Sequence, residues 1–352
     1  MAKTLMKGNE ALALAAIKGG CTHFFGYPIT PQNEIPEFLA REMPKAGGVF
    51  VQAESEIAAI NMVFGASAAG ARTMTTSSSP GIALMQEGMS LLAAAELPCV
   101  IVNVQRGGPG IGGIQPAQSD YFQMTRGGGN GDYRILSFAP ATIQESTEMI
   151  QDAFDLADKY RTPVFIVSDG LLGQMMEPVE FTERPKASLP EKSWAVVGHG
   201  GKRKANSITT VRLAPEALEQ TNLNLQAKYN LITQDETRWE EQDIESAEII
   251  LTAYGSMSRI IKNVIARLKS ESITAGLIRP KTLWPFPAKP FQNLPDCCRA
   301  VLCVEMSCGQ MVDDVRLAVN GARPVDFYGR AGGVIPSPDE VVEKVKSLLG
   351  RN

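Results

Sequence analysis

The feature that most constrains the fold is one short apolar run, Val100-Ile101-Val102-Asn103-Val104. A run of this kind is typical of a strand buried on both faces, as in a parallel sheet covered by helices. Similar short runs alternate with helix-like patterns through the first half of the chain, which predicts repeated strand–helix units. The predicted strands are His23–Phe25, Val49–Gln52, Thr73–Thr75, Cys99–Gln105, Arg134–Phe138 and Val164–Ser168, and the predicted helices are Ala11–Ile17, Pro31–Arg41, Ser55–Ala69, Gly81–Ala95 and Thr142–Tyr160.

This pattern weakens after residue 180 and resumes near Ala247. Polar residues dominate the stretch between, although Pro215–Tyr229 has a helical pattern. The second α/β unit has predicted strands at Glu248–Ala253, Thr274–Ile278, Val301–Val304 and Pro324–Phe327, and predicted helices at Ser258–Ser270, Gln310–Val319 and Asp339–Leu349. We therefore predict an α/β domain over 1–180, a connecting segment over 181–244 that packs on the surface or against a partner, and a smaller α/β domain over 245–352.

Composition excludes several classes of protein. The 352 residues are 44% apolar and 20% charged, which is ordinary for a globular chain with a sizeable core. The net charge of −4 argues against the basic face of a nucleic-acid-binding protein. No apolar run reaches the ~18 residues of a membrane span. Ala11–Ile17 reads as a first helix with Asn9 as its N-cap rather than a signal peptide, so we expect a cytoplasmic protein.

Six cysteines fit a reducing compartment. The four late ones, Cys297, Cys298, Cys303 and Cys308, contain no C-x-x-C spacing. Cys303 lies inside an apolar run, where it would pack as a small hydrophobe. This pattern favours a structural role over a zinc or iron–sulfur site on this chain.

Ligands of parallel α/β sheets gather at the carboxyl ends of the strands, and we assign four loops to that position. The first, Gly26–Pro31, has two interpretations. It is a helix entrance with Thr30 as N-cap and Pro31 in the first turn, or a stiff loop that presents the Thr30 hydroxyl to a ligand.

The second loop is Glu54-Ser55-Glu56. Its carboxylates either favour the helix dipole, or Glu56 is desolvated at the mouth of a buried helix and active in proton transfer.

The third loop, Gln105–Gly113, contains a G-x-G-x-x-G spacing. A dinucleotide site is a poor fit, because no helix pattern begins at Gly113 and Asp132 precedes a strand instead of ending one. Arg106 either lies on the surface or binds a carboxylate in two-pronged fashion beside a close-fitting glycine loop. The fourth loop, Gly127–Asp132, either brings backbone N–H groups to a ligand or is a mobile turn. With only two histidines, a Ser-His-Asp triad or a multi-histidine metal site has little support.

Several segments, in this order, resemble one family. They are Gly8-Asn9-Glu10-Ala11, Tyr27-Pro28-Ile29-Thr30-Pro31, Glu54–Ala59, Gln105-Arg106-Gly107-Gly108-Pro109, Gln118-Ser119-Asp120-Tyr121-Phe122-Gln123, Arg279–Pro287, Glu305 and Gly309-Gln310. The chain resembles the alpha-type subunit of 2-oxoacid:ferredoxin oxidoreductases, and the 118–123 segment is most similar to the branched-chain (2-oxoisovalerate, 3-methyl-2-oxobutanoate) type. The resemblance implies a pyrimidine-type thiamine diphosphate domain followed by a transketolase C-terminal-like domain.

The resemblance also implies chemistry. In this family thiamine diphosphate attacks the 2-oxo carbon, CO2 leaves, electrons pass to iron–sulfur clusters and ferredoxin, and the acyl group ends on coenzyme A. By motif alignment Glu56 contacts the aminopyrimidine, with Tyr27, Pro28 and Ile29 also on the cofactor side. Thr30, Arg106 and Gly107 contact the substrate, and Thr30 and Arg106 join Glu56 as catalytic residues. A fixed cation at Arg106 would stabilise developing charge.

The family's diphosphate-binding elements are missing. Ser168-Asp169-Gly170 lacks the first glycine of the Gly-Asp-Gly stretch that holds Mg2+, and Asn206 lies too far on. We therefore expect a beta-type subunit with the diphosphate, Mg2+ and a [4Fe-4S] cluster, together with gamma and ferredoxin-like delta subunits, and no activity from this chain alone. Asn130 stands where related subunits often have histidine. The alternatives are a 2-oxoglutarate or pyruvate enzyme, a subunit used mainly for assembly, and an NAD-dependent dehydrogenase.

Overall fold

A computed structural model describes residues 3–182 and 188–351 of the chain. The strand predicted over Cys99–Gln105 is confirmed as the centre of the larger sheet, and all seven of its residues are buried. In the first part of the chain the strands are β1 (Thr4–Lys7), β2 (His23–Gly26), β3 (Val49–Gln52), β4 (Thr73–Ser77), β5 (Cys99–Gln105), β6 (Leu136–Phe138), β7 (Pro163–Asp169) and β8 (Met176–Val179). The helices there are α1 (Gly8–Lys18), α2 (Glu34–Glu42), α3 (Glu56–Ala68), α4 (Ser79–Leu84), α5 (Gln86–Ala94), α6 (Tyr121–Thr125), α7 (Ile143–Tyr160) and α8 (Gly170–Gln174).

The remaining elements are α9 (Pro215–Glu236), β9 (Trp239–Gln242), β10 (Ile249–Thr252), α10 (Met257–Ser270), β11 (Ala275–Pro280), β12 (Thr282–Trp284), α11 (Ala288–Gln292), β13 (Ala300–Glu305), α12 (Met311–Val319), β14 (Val325–Gly329) and α13 (Pro338–Leu349). They form a second layered unit, except β12, which joins the larger sheet, and α9, which packs on the first domain. The predicted α/β class is confirmed. No helix in the described residues is long and apolar enough to cross a bilayer.

The larger sheet has the order β12-β6-β7-β5-β4-β2-β3. Its strands are parallel except β12, which pairs antiparallel with β6. A five-stranded sheet has the order β14-β13-β10-β11-β9, with β9 antiparallel to β11. A two-stranded sheet pairs β1 antiparallel with β8. The seven-stranded and five-stranded sheets therefore each have one antiparallel edge strand.

Three predicted helix boundaries are wrong. Asn9 is not the N-cap of α1, because the cap is Lys7 and the Asn9 amide donates instead to the carbonyl of Pro31 at 2.9 Å. The helix predicted over Gly81–Ala95 is two helices, α4 and α5, divided at Met85. The predicted polar helix at Pro215 runs on to Glu236, and its buried face packs Leu225, Tyr229 and Ile232 against the first domain.

The segment Gln118–Phe122 joins the two units. Gln118 donates from its backbone to the carbonyl of Met306 at 2.8 Å and from its side chain to the carbonyl of Tyr254 at 2.9 Å. Gln310, before α12, accepts from the backbone of Phe122 at 2.9 Å and donates to the carbonyl of Ser119 at 2.7 Å. These bonds fix the end of the loop that follows β5 against the second unit.

Candidate functional site

The site lies where four adjacent parallel strands of the larger sheet end. Because β5, β4, β2 and β3 are neighbours and run the same way, their carboxyl ends form one continuous edge. The loops that leave this edge carry Arg106 after β5, Ser79 after β4, Thr30 after β2 and Glu56 after β3. The topology therefore gathers three of the predicted side chains and one that the sequence analysis missed.

Arg106 is a buried cation without a countercharge. Arg106 is only 7% exposed, and its guanidinium donates to the carbonyl oxygens of Thr30 (2.9 Å) and Ile111 (2.7 Å). Its Nε is buried and has no hydrogen-bond partner. Among the described residues, no carboxylate lies within 4.0 Å of its guanidinium. A buried charge left in this state is costly unless a ligand supplies the missing partner.

The loop after β2 is not the helix entrance that the sequence suggested. Thr30 is not an N-cap and Pro31 is not in a first helical turn, because α2 begins at Glu34 after a further turn. The Pro31 carbonyl is used by two side-chain amides, Asn9 at 2.9 Å and Gln174 at 3.1 Å. These two bonds hold the loop so that the Thr30 carbonyl accepts from Arg106. Thr30 is half-buried, and its hydroxyl accepts from Asn33 Nδ2 at 3.4 Å.

The remaining predicted residues of this loop differ in exposure. Tyr27 and Pro28 are exposed, whereas Ile29 is half-buried. The backbone carbonyl of Tyr27 accepts from the Gln32 side chain at 3.3 Å, and the carbonyl of Ile29 accepts from the Gln32 backbone at 3.1 Å. Gln32 is fully buried, so it fixes the loop from beneath. The surface that remains free is formed by the tip of the loop.

Glu56 is the second buried charge at this edge. Ser55 caps α3 by accepting from Ala58 N at 3.2 Å, which makes Glu56 the first residue of the helix, where its dipole favours a negative charge. Glu56 is 7% exposed, and none of the described residues donates a hydrogen bond to its carboxylate. Glu54, two residues earlier, is exposed. The expected difference between the two glutamates is therefore seen in their burial.

Gly81 permits the position of the Glu56 carboxylate. A Cβ at residue 81 would lie 2.5 Å from Glu56 Oε1 and 2.8 Å from its Cγ, and closer still to Ser77 Oγ. Two residues before it, the Ser79 hydroxyl accepts from Arg106 N at 3.0 Å. The short helix α4 thus stands between Glu56 and Arg106 and touches both. The run Ser77-Ser78-Ser79-Pro80-Gly81 follows a strand, so the strand-end rule could have identified it from sequence.

The two glycine loops differ in their relation to the site. Gly107–Gly113 follows β5 at the edge, and no helix begins at Gly113, as predicted; the next helix is α6. A Cβ at Gly107 would lie 3.1 Å from the carbonyl carbon of Gly332, which explains the glycine by contact with the second unit. The assignment of Gly127–Asp132 to the same edge is wrong, because this loop leads into the start of β6 and packs on Gln86 and Ser90 of α5.

Asp169 and Cys303 are buried, whereas Cys297 and Cys308 are exposed. Asp169 Oδ1 accepts from the backbones of Leu171 and Leu172, and Oδ2 accepts from Ser256 Oγ at 2.5 Å. Burial raises the pKa of Asp169 against these hydrogen bonds. Cys303 is fully buried in the core, as predicted. Within residues 3–182 and 188–351, no group of three or more histidine, cysteine, aspartate or glutamate side chains is arranged to hold a metal ion.

A cavity of about 740 Å³ opens between the two units, and two of its lining residues, Ser79 and Ile111, are hydrogen-bonded to Arg106. Its walls come from α4, the glycine loop after β5, the 119–123 segment and the loops after β13 and β14, including Ser79, Ile111, Asp120, Cys308 and Gly332. The only charged side chain among the described residues of this wall is Asp120. The cavity therefore offers a mostly uncharged space beside two residues that hold Arg106 in place.

Comparison with protein families assigns this arrangement to a class. Residues 14–242 match the model described as pyruvate flavodoxin/ferredoxin oxidoreductase, thiamine diphosphate-binding, and residues 247–341 match pyruvate:ferredoxin oxidoreductase core domain II. The chain belongs to this family as an alpha-type subunit of the 2-oxoacid:ferredoxin oxidoreductases, which confirms the resemblance inferred from its motifs.

Individual relatives refine the assignment. The chain is 47% identical, over 99% of both chains, to ketoisovalerate oxidoreductase subunit VorB of Methanothermobacter thermautotrophicus. It is 35% identical, over 97% of this chain and 98% of the relative, to 2-oxoglutarate synthase subunit KorA of Methanocaldococcus jannaschii.

Solved structures support the fold. A 2-oxoglutarate:ferredoxin oxidoreductase from Magnetococcus marinus, with 2-oxoglutarate, coenzyme A and succinyl-CoA bound, superposes with a TM-score of 0.88 at 29% identity. That match covers 99% of this chain and 65% of the other, so this chain spans about two thirds of the length of that protein. A split-gene transketolase (TM-score 0.62, 15% identity, 98% of both chains) shares the fold alone.

Proposed function

We propose that this chain supplies the aminopyrimidine and substrate side of a thiamine diphosphate site in an enzyme that oxidatively decarboxylates a 2-oxoacid to acyl-CoA and CO2 and reduces ferredoxin. The observation that carries the proposal is the buried, unpaired Arg106, whose free Nε lies at the same sheet edge as the buried, unpaired Glu56. A 2-oxoacid brings the carboxylate that Arg106 lacks. A ring nitrogen of the aminopyrimidine, when protonated, brings the donor that Glu56 lacks.

The donor set fits one half of the cofactor. Glu56 follows β3, and Tyr27, Pro28 and Ile29 follow the neighbouring strand β2. These residues would hold the pyrimidine ring, and the missing side chain at Gly81 leaves room for the Glu56 carboxylate beside α4. When bound, thiamine diphosphate supplies the carbon nucleophile for attack on the 2-oxo group. The carboxylate of Glu56 would hold a proton shared with the ring, and its burial strengthens that hydrogen bond.

Arg106, Thr30 and Gly107 would orient the substrate. Two of the five guanidinium N–H donors of Arg106 are committed to the carbonyls of Thr30 and Ile111, which fixes its plane and leaves three N–H groups, that of Nε among them, for the substrate. A cation fixed in this way stabilises negative charge on the substrate as it develops. Gly107 brings the backbone close to this position, and the hydroxyl of Thr30 remains available as a further donor.

The site is incomplete on this chain, which supports partner subunits. Large apolar side chains are exposed on the elements that carry the site, namely Tyr27 (37%), Ile57 (51%), Leu84 (52%) and Ile111 (81%). Such side chains near a functional edge mark an interaction surface. We propose that a beta-type subunit docks here with the diphosphate, Mg2+ and a [4Fe-4S] cluster, and that gamma and ferredoxin-like delta subunits complete a cytoplasmic complex.

A branched-chain 2-oxoacid is the proposed substrate, with 2-oxoglutarate and pyruvate as alternatives. The higher identity to the ketoisovalerate subunit, 47% against 35%, supports this choice. So does the cavity, because its described lining contains no lysine or arginine to pair with the second carboxylate of 2-oxoglutarate. Discrimination between apolar chains that differ by one methylene is worth only ~1–3 kcal/mol, so several branched-chain acids should react.

The test uses the complex co-expressed with its neighbouring open reading frames. Viologen reduction is measured with 2-oxoisovalerate, 2-oxoglutarate and pyruvate, with and without coenzyme A. We expect Glu56→Gln and Arg106→Ala to reduce turnover sharply in an assembled complex, whereas the control Glu54→Gln, at the exposed neighbouring carboxylate, should not. Near-normal turnover in both variants would show a subunit used mainly for assembly. Reduction that depends on NAD and not on coenzyme A would show a dehydrogenase.

A further inference from the structure

We propose that Asp120 is a positioning residue for Arg106 and acts through the hydroxyl of Ser79. The proposal rests on the function proposed above for Arg106. Asp120 is 5% exposed and lies in the Gln118–Gln123 segment, which the sequence comparison identified but to which the site chemistry gave no role. Asp120 is the one charged residue in the described lining of the cavity that Ser79 and Ile111 also line.

A chain of hydrogen bonds connects the two residues. The Ser79 hydroxyl donates to Asp120 Oδ2 and accepts from the backbone N–H of Arg106 at 3.0 Å. Ser79 has a single hydroxyl proton, and a carboxylate is a stronger acceptor than the Arg106 carbonyl, which lies 3.2 Å from the same oxygen. With that proton committed to Asp120, the lone pairs of Ser79 point towards Arg106 N. The carboxylate therefore sets the direction of the bond that holds the backbone of Arg106.

Asp120 is itself fixed on three sides. Asn103 Nδ2 donates to Oδ2 at 2.9 Å, and the backbone of Asp120 donates to Gln105 Oε1 at 3.2 Å. The flanking backbone groups of Ser119 and Phe122 are held by Gln310 of the second unit. All hydrogen bonds to the carboxylate use Oδ2, so no described residue occupies Oδ1. A buried carboxyl with this many constraints is costly to place and rigid once placed.

Geometry indicates which kinetic constant should change. Arg106 is the first residue after β5, and its own backbone N–H donates to Ser79. Loss of that bond lets the guanidinium move relative to the Thr30 carbonyl. The proposed Arg106 contact is made to the 2-oxoacid before and during reaction. Its misplacement should therefore raise KM for the 2-oxoacid more than it lowers kcat, and it should leave KM for coenzyme A unchanged.

The experiment measures both constants in the assembled complex for Ser79→Ala, Asp120→Ala, Asp120→Asn and the double alanine variant. We expect a rise of about tenfold or more in the 2-oxoacid KM for either alanine variant. The double variant should be no worse than the worse single variant, because both changes break one chain. Asp120→Asn should recover most of the loss, because an amide oxygen still accepts from Ser79. The control is Ser67→Ala, which removes a buried serine bonded to the Pro98 carbonyl at the far end of α3.

Outcomes for the two proposals can be separated. If Arg106→Ala reduces activity but Ser79→Ala and Asp120→Ala leave the 2-oxoacid KM unchanged, the positioning role is wrong and the proposed function stands. Additive losses in kcat with unchanged KM would equally overturn the positioning role. If Arg106→Ala has no effect, the proposed function itself fails. Should Asp120→Ala not assemble, Ser79→Ala and Asp120→Asn decide the question alone.

Discussion

Gly81→Ala is the substitution for which the structure gives the clearest geometric consequence. The new methyl group would lie 2.5 Å from Glu56 Oε1 and closer still to Ser77 Oγ, whereas ordinary contacts begin at 3.4 Å. Either α4 or both of these side chains must therefore move by roughly 1 Å, a displacement of the size that can cost about a hundredfold in rate when a positioned group is involved. We expect the complex to assemble and bind its substrate, with turnover reduced by about that factor.

The assay is steady-state viologen reduction with a 2-oxoacid and coenzyme A, with assembly checked by gel filtration. Gly65→Ala is the matched control, because residue 65 also lies in a helix but a Cβ there meets nothing within 4 Å. Removing a glycine from a helix should even stabilise that variant slightly. Normal turnover in Gly81→Ala, with the complex intact, would refute the assignment of Glu56 to a tightly placed catalytic contact.

Two further predictions concern stability and assembly. Although burial opposes ionisation, the hydrogen bonds and charge of Arg279 lower the pKa of Glu145 from 4.5 to about 2, a difference that corresponds to roughly 3 kcal/mol. Calorimetry at pH 7 should show that Glu145→Gln lowers the free energy of unfolding by about that amount. Because the ionised carboxylate stabilises the fold above the unfolded pKa, this loss should shrink as the pH falls from 4.5 towards 2. A loss that does not depend on pH would contradict the ion-pair origin. The double variant Ile57→Asp/Leu84→Asp should abolish copurification of the other subunits without unfolding the chain. The control Leu317→Asp, at a side chain 76% exposed on α12, should still copurify with them. Unchanged copurification of the double variant would show that the docking surface lies elsewhere.

Sequence patterns predicted the central sheet strands because burial on both faces leaves continuous apolar runs in the sequence. The strand at Cys99–Gln105 and the packing of Cys303 are confirmed for that reason. The predicted N-caps at Asn9 and Thr30 were wrong because a short polar side chain can either cap a helix or bond elsewhere. The Asn9 amide binds the Pro31 carbonyl, and the Thr30 hydroxyl accepts from Asn33. The choice between these roles is made by tertiary contacts that local sequence does not contain.

Site residues divide in the same way. Arg106 and Glu56 were selected by position after a strand and by resemblance, and the structure adds that both are buried. Ser79 and Asp120 were not selected, because they are forty-one residues apart and meet only when the end of the β5 loop is held against the second unit. A sequence signal did exist in Asn103, a polar residue inside an apolar strand, whose amide binds Asp120.

The arrangement of the two unpaired charges explains why α4 is placed between them. A buried glutamate and a buried arginine within reach of each other would form an ion pair, and each would then be lost to a ligand. Arg106 is instead oriented by backbone carbonyls, which fix its direction without cancelling its charge. Glu56 rests against a glycine, which offers no donor side chain. By keeping Ser79 and Gly81 between the two groups, the fold preserves one free cation for the substrate and one free carboxylate for the cofactor at a single sheet edge.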